Sequence, residues 1–395
     1  MLAYKRVYTP IVYLKNLQSV SASLQRKNLS RLRALPLLGV LALASGCTTV
    51  GYYAQAVGGH LDLMSKRQSL ERVLSSEDTD EEIKRKLQLL KDARVFAVAD
   101  LGLPNNESYS TFVKTDKRFI TWNVVAAPEF SISPKTWCFP VAGCVSYRGY
   151  FDESDATSYA KGLDSQGFDT HVGGASAYST LGWFDDPLLD TMLRGSDIRL
   201  TGVLFHELAH QVLYVKNDSS FNEAFASFVE QQGVREWLRS EGREETLPRY
   251  EDYLQRQVDF NDLLQQTRRD LVSLYKSVGP AKDLDAAAKD EIRERKKAVF
   301  DTMLSRYETL KTEKWDGFDG YDNWFAREIN NARLISVSTY LKWIPAFKGL
   351  FEESGSSFEN FYAEARELAK KPYAERQEVL ERLLSPETED DVATN

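Results

Sequence analysis

Apolar residues recur at helical spacing through residues 61 to 95 (Leu70, Val73 and Leu74, then Ile83, Leu87 and Leu90), and the charged run SSEDTDEE interrupts them. This pattern predicts a helical hairpin. The period then changes: FITWNVVAA at 119–127, CVSYRGYF at 144–151 and THVGGASAYST at 170–180 are rich in β-branched and aromatic residues and read as strands. Helical spacing returns at Ser196, with Ser196 or Asp197 as N-cap, and runs to about residue 215. NDSS breaks it, and a second helix is predicted from near Phe221 to about Arg239. Residues 250–315 read as a hairpin of two long charged helices around SVGPAKD, with Leu263, Leu264, Leu271 and Leu274, then Val299, Met303 and Tyr307, turned inward. A final helix is predicted over 357–384, and the acidic end 385–395 reads as disordered. Residues 47–384 are therefore expected to form a single α+β domain with helical elaboration.

Charge divides the chain differently. The whole sequence of 395 residues carries −8, but its first 46 residues hold seven Lys or Arg and no Asp or Glu, so the remainder stands at 43 basic against 58 acidic residues, or −15. A body of that sign is repelled by nucleic acid, which excludes a nucleic-acid partner. RLRALPLLGVLALASGC places two arginines ahead of a short apolar run and then small residues, the layout of a secretory signal over residues 1–46. The apolar run is too short to span a bilayer. Ala44-Ser45-Gly46-Cys47 resembles a bacterial lipobox, which makes Cys47 the expected lipidation site and the lipid the expected membrane anchor. Thr48, in place of an aspartate after the cysteine, favours the outer membrane of a Gram-negative cell envelope, facing the periplasm. The stretch before about Ser30 is long for a signal, so translation is open to a start further in. With Cys47 assigned, Cys138 and Cys144 remain as an even pair, able to form a disulfide in an oxidising compartment; two reduced, buried cysteines are the other reading.

The candidate chemistry sits in LFHELAHQVLY. His206 and His210 are four apart, hence one turn apart on one helix face, where both imidazoles can reach a single Zn2+. Glu207 lies beside that face, where a carboxylate can act as general base on a water activated by the metal. This is the H-E-x-x-H zinc-peptidase pattern. A catalytic zinc wants a third protein ligand. Position 216 is Lys, which removes the metzincin histidine, whereas Glu223 follows a break just long enough to reverse the chain. Asn222-Glu223 resembles the start of the third-ligand helix of gluzincins; the Asp usual four residues later is Ser227 here, so the carboxylate that steadies a ligand histidine must be replaced or missing. The competing reading is an ordinary helix that carries two histidines. His60 and His171 read as surface or packed histidines rather than ligands.

VGGASAYSTLGWFDDP, FHELAHQVLYV and FNEAFASFVEQQG, with AAPEF and WCFPVAGCVSYRGYF upstream and NNARLISVSTYLKWIPAF downstream, resemble the bacterial family named "putative aminopeptidase", exported zinc lipoproteins. The resemblance covers about residues 51–351. It implies a zincin-like core of small mixed sheet and active-site helices, one zinc ion, a peptide substrate, and aminopeptidase over endopeptidase action.

Three further roles are expected from the chemistry. The strand ending GGASAYST would align a substrate backbone. Tyr340 would donate to the developing oxyanion, with Tyr178 and Arg333 as competitors. Asp185, Asp186 or Glu129 would bind the substrate's free ammonium. Two other readings stand beside the peptidase: a metal-binding envelope scaffold without turnover, and a zinc amidase acting on cell-wall fragments. Oligomeric state, exo against endo cleavage and side-chain preference are not legible in the sequence.

Overall fold

The computed structural model describes residues 37–139, 143–180, 184–279, 283–337 and 342–384, together with the two-residue strand β1 (Val7–Tyr8). The chain is α+β and mostly helical. Helix α1 (Leu37–Ser65) runs through Cys47 without a break and carries His60 near its end. The expected hairpin over 61–95 is instead the end of α1, a short strand β2 (Gln68–Ser69), and two helices, α2 (Leu70–Ser75) and α3 (Glu81–Ala99). Ser69 caps α2 and Asp80 caps α3 through side-chain oxygens on first-turn amides, which sets the break between them. Among the described residues no helix is long and apolar enough to cross a membrane.

The sheets are small. β3 (Thr111–Val113) pairs with β2 and with β10 (Leu188–Leu189). β4 (Thr121–Pro128) is the centre of a three-stranded sheet, between β7 (Arg148–Tyr150) and β8 (Phe168–Ala175), and pairs with β8 over its full length. β5 (Trp137–Phe139) and β6 (Gly143–Val145) form a separate hairpin, and β9 (Tyr178–Ser179) pairs in parallel with β1. The turn before β8 holds a helix that the apolar pattern does not announce, α4 (Glu153–Asp164), capped by Asp152 and packed through Ala156, Ala160 and Leu163.

Cys138 and Cys144 are joined by a disulfide across the β5–β6 hairpin, S–S 1.98 Å. With a sequence separation of only six, loop-closure entropy assigns the bridge about 2 kcal/mol. Substitution of both by Ser is expected to lower unfolding free energy by about that amount in urea denaturation, with at most a slight rise in m as the unfolded loop opens.

The second half is helical: α5 (Asp197–Val212), α6 (Ser219–Ser240), α7 (Leu247–Val278), α8 (Ala286–Thr309), α9 (Asp322–Phe325), α10 (Asn331–Ile335), α11 (Ile344–Glu353), α12 (Phe358–Lys370) and α13 (Tyr373–Leu384). α7 and α8 pack together over their own cluster, with Leu263, Leu264, Leu271, Leu274, Met303 and Tyr307 inside. The single helix expected over 357–384 is two, because Pro372 has no N–H to continue the ladder. The largest apolar cluster surrounds α5 and α6. Phe225 and Phe228 of α6 lie against Phe361 of α12, ring centroids 5.6 and 5.0 Å apart, and Phe221 lies 5.1 Å from Phe347 of α11. The candidate site is thus carried by the two helices that the core holds most tightly.

Candidate metal centre

Every residue of α5 from Leu200 to His210 is buried, a consequence of apolar side chains on all sides. Such a helix can place polar groups inside only where they meet one another. α5 ends at Val212, with Leu213 already extended, and the chain reverses through Asn217, which takes a left-handed φ of 65°. Asn222 ties this reversal: its Oδ1 accepts from the Val215 N–H and its Nδ2 donates to the Val215 carbonyl, both at 2.7 Å. Asp218 caps α6 by accepting from the Phe221 N–H at 3.1 Å. The β5–β6 hairpin leans on the same turn, since Asn217 Oδ1 accepts from the Cys144 N–H at 2.8 Å. Gly143 makes that approach feasible, because a Cβ there would stand 2.2 Å from the same oxygen.

The reversal makes α5 and α6 antiparallel neighbours. Glu223 comes to both histidines, one oxygen to each: Oε2 is 3.4 Å from His206 Nε2 and Oε1 is 3.7 Å from His210 Nε2. The imidazole centroids are 4.7 Å apart. Among the described residues these three form the only group of three whose donor atoms all lie within 4.8 Å of one another. Two donors bound about 2.1 Å from one tetrahedral ion sit roughly 3.4 Å apart. The two imidazole–carboxylate separations are close to that value, so the three residues fit a zinc ion in chemistry and in these two distances. Glu207 is 1% exposed on the same helix.

Two residues near this centre were not anticipated from the sequence. Glu230, two turns beyond Glu223 on α6, lies with Oε2 2.9 Å from His206 Nδ1. Its only signal was the seven-residue interval, which keeps it on the face of Glu223. Tyr214, the last residue of LFHELAHQVLY, has its phenol pushed up to about 12 by burial and by the charge of Glu223.

The other candidates are dispersed. Tyr340 lies outside the described residues. Tyr178 is buried, its hydroxyl 2.9 Å from His60 Nδ1. His60 is thus a packed histidine. Arg333 donates to the Trp324 and Glu328 carbonyls, and Glu129 is paired with Arg293 at 2.6 Å. Asp185 is exposed. Asp186 is wholly buried, accepting from the Thr180 N–H at 2.7 Å, with the Thr180 and Ser179 hydroxyls at 2.9 and 3.3 Å.

Asp186 and His60 carry opposite pH dependences. Burial, reduced by the Thr180 hydrogen bonds and reinforced by the charge of Glu207, raises Asp186 from 3.8 to about 7. Between those values the folded protein holds a proton that the unfolded chain has released, so this term loses stability as pH rises. Burial, helped by Arg67, lowers His60 from 6.5 to about 4. There the unfolded chain holds the extra proton, and stability is lost as pH falls. Each slope is at most about 1.4 kcal/mol per pH unit, and in the wild type they oppose. Relative to wild type, Asp186→Asn should gain stability from pH 4 to 7, and His60→Gln should lose it from pH 4 to 6.5; denaturant titrations across that range read both.

No curated protein and no solved structure matches the chain. A family model described as "Putative aminopeptidase" matches residues 51–380, a span that includes α5, α6 and the strands β2 to β10 before them. The chain belongs to this putative aminopeptidase family, which its name makes a family of peptidases acting on peptide substrates.

Proposed function

We propose that the protein is a zinc-dependent aminopeptidase with a zincin-like core, anchored by lipid at Cys47 to the outer membrane and facing the periplasm. The observation that carries the reading is the convergence of His206, His210 and Glu223, with Glu207 buried beside them on α5. His206, His210 and Glu223 would hold the zinc ion, which when bound would supply the Lewis acidity that activates water near neutral pH and polarises the scissile carbonyl. The chain's own groups do the rest. Glu207 takes the proton of the attacking water and delivers it to the departing nitrogen. Antiparallel pairing with β4 leaves β8 as the outer strand of its sheet, and β9 follows it with an edge that pairs in parallel with Val7–Tyr8; an extended peptide uses such an edge in the same way. Of the three acids considered for the substrate's ammonium, Asp185 is exposed and makes no ion pair among the described residues, whereas Asp186 is enclosed and Glu129 is taken by Arg293.

The test is metal analysis of the purified protein with mapping of the products from a mixed peptide library. One zinc per chain and single residues released from peptide N-termini are expected. Cleavage confined to peptide interiors or to cell-wall fragments, or no cleavage by the zinc-loaded protein, overturns the assignment.

A further inference from the structure

We propose that Glu230 is the positioning residue of the metal centre, and that Gly202 is glycine in order to admit it. The inference rests on the zinc reading above. Glu223, Ser227 and Glu230 fall at i, i+4 and i+7 of α6 and form a partly exposed stripe among fully buried Ala224, Phe225, Ala226, Phe228 and Val229. The middle position carries only a serine hydroxyl. The carboxylate that meets a ligand histidine comes from the next turn, and its longer glutamate side chain reaches back along the helix.

At neutral pH a carboxylate only accepts, so the 2.9 Å contact requires His206 Nδ1 to carry the proton. In the neutral ring, the form that binds a metal, the lone pair is then on Nε2, the atom that faces Glu223 at 3.4 Å. Glu230 thereby fixes both the tautomer and the ring orientation that a metal needs.

The second half of the device is on α5. Gly202 lies one turn before His206, and a Cβ there would come to 3.0 Å from Glu230 Oε1 and 3.2 Å from its Cγ. Glu230 cannot withdraw freely, because its other oxygen is held at His206. An alanine at 202, although the better helix former, must therefore shift Glu230 by a few tenths of an ångström and disturb its contact with the histidine.

Zinc affinity of the full-length protein, measured by chelator competition, tests this together with thermal unfolding of the metal-free form. Glu230→Ala should weaken zinc binding by about 10- to 100-fold while leaving the metal-free midpoint near that of wild type. Gly202→Ala should weaken binding in the same direction, by less, and should add nothing in the Glu230→Ala background. Unchanged affinity in Glu230→Ala, or a Gly202→Ala effect that persists undiminished without Glu230, overturns the proposal and leaves the zinc site standing. A lowered metal-free midpoint with unchanged affinity makes Glu230 merely structural. Failure of the wild type to bind zinc overturns both readings.

Discussion

Replacement of Glu207 by glutamine is expected to reduce kcat on peptides by about 10²- to 10⁴-fold while zinc content stays at the wild-type level. Glutamine keeps the size of the side chain and its place on α5 but cannot accept the proton of an attacking water. The donors proposed for the metal are His206, His210 and Glu223, and the substitution removes none of them. The neighbourhood sharpens the prediction. Asp186 is wholly buried and feels the charge of Glu207, so removing that charge should also lower the Asp186 pKa. Steady-state kinetics with metal analysis on the same samples reads the first effect; an activity near wild type in zinc-loaded Glu207→Gln would show that proton transfer does not pass through this residue.

Arg376→Ala is expected to cost about 3–5 kcal/mol of stability, the largest loss from any single ion pair here. Arg376 on α13 donates to Asp218 Oδ2 from two nitrogens at 2.7 and 3.0 Å, with both side chains no more than 5% exposed. It also donates to the Lys371 carbonyl and stacks 5.3 Å from the Phe221 ring. Truncation leaves the Asp218 carboxylate buried and without its cation, which is costlier than never having the pair. Asp218 is also the cap of α6, and Glu223 lies in the second turn of that helix. The same variant should therefore bind zinc more weakly although it touches no ligand. Chemical denaturation gives the first number; Arg376→Met with Asp218→Asn should recover much of it, since no buried charge is then stranded.

What the sequence made legible was whatever depends on short intervals. His206 and His210 are set one turn apart by helix geometry alone, and Glu223 by the length of the break before it. β4 and β8 were visible as runs of β-branched and aromatic residues. Glu230 was not, because a glutamate on a partly exposed helix stripe looks like any solvated charge until the opposing helix is in place. Gly202 was hidden for the same reason: its meaning lies in a carboxylate 28 positions away that fills the space of its missing Cβ. α4 escaped because its inner face is two alanines and one leucine, too small a payload for apolar spacing to register. Asp186, one of three acids read as able to meet a substrate amine, is enclosed by Thr180 and Ser179, a turn that closes only in the folded chain.

The three proposed metal donors, the proposed general base, Glu230 and Gly202 all lie on one pair of consecutive helices with a short reversal between them. Such a unit has low contact order: closing it requires little loop entropy and none of the slower strand pairing between β4 and its neighbours. The site can therefore assemble during folding before the sheets dock, and a metal captured at that moment would act as a nucleus for the core that later surrounds it.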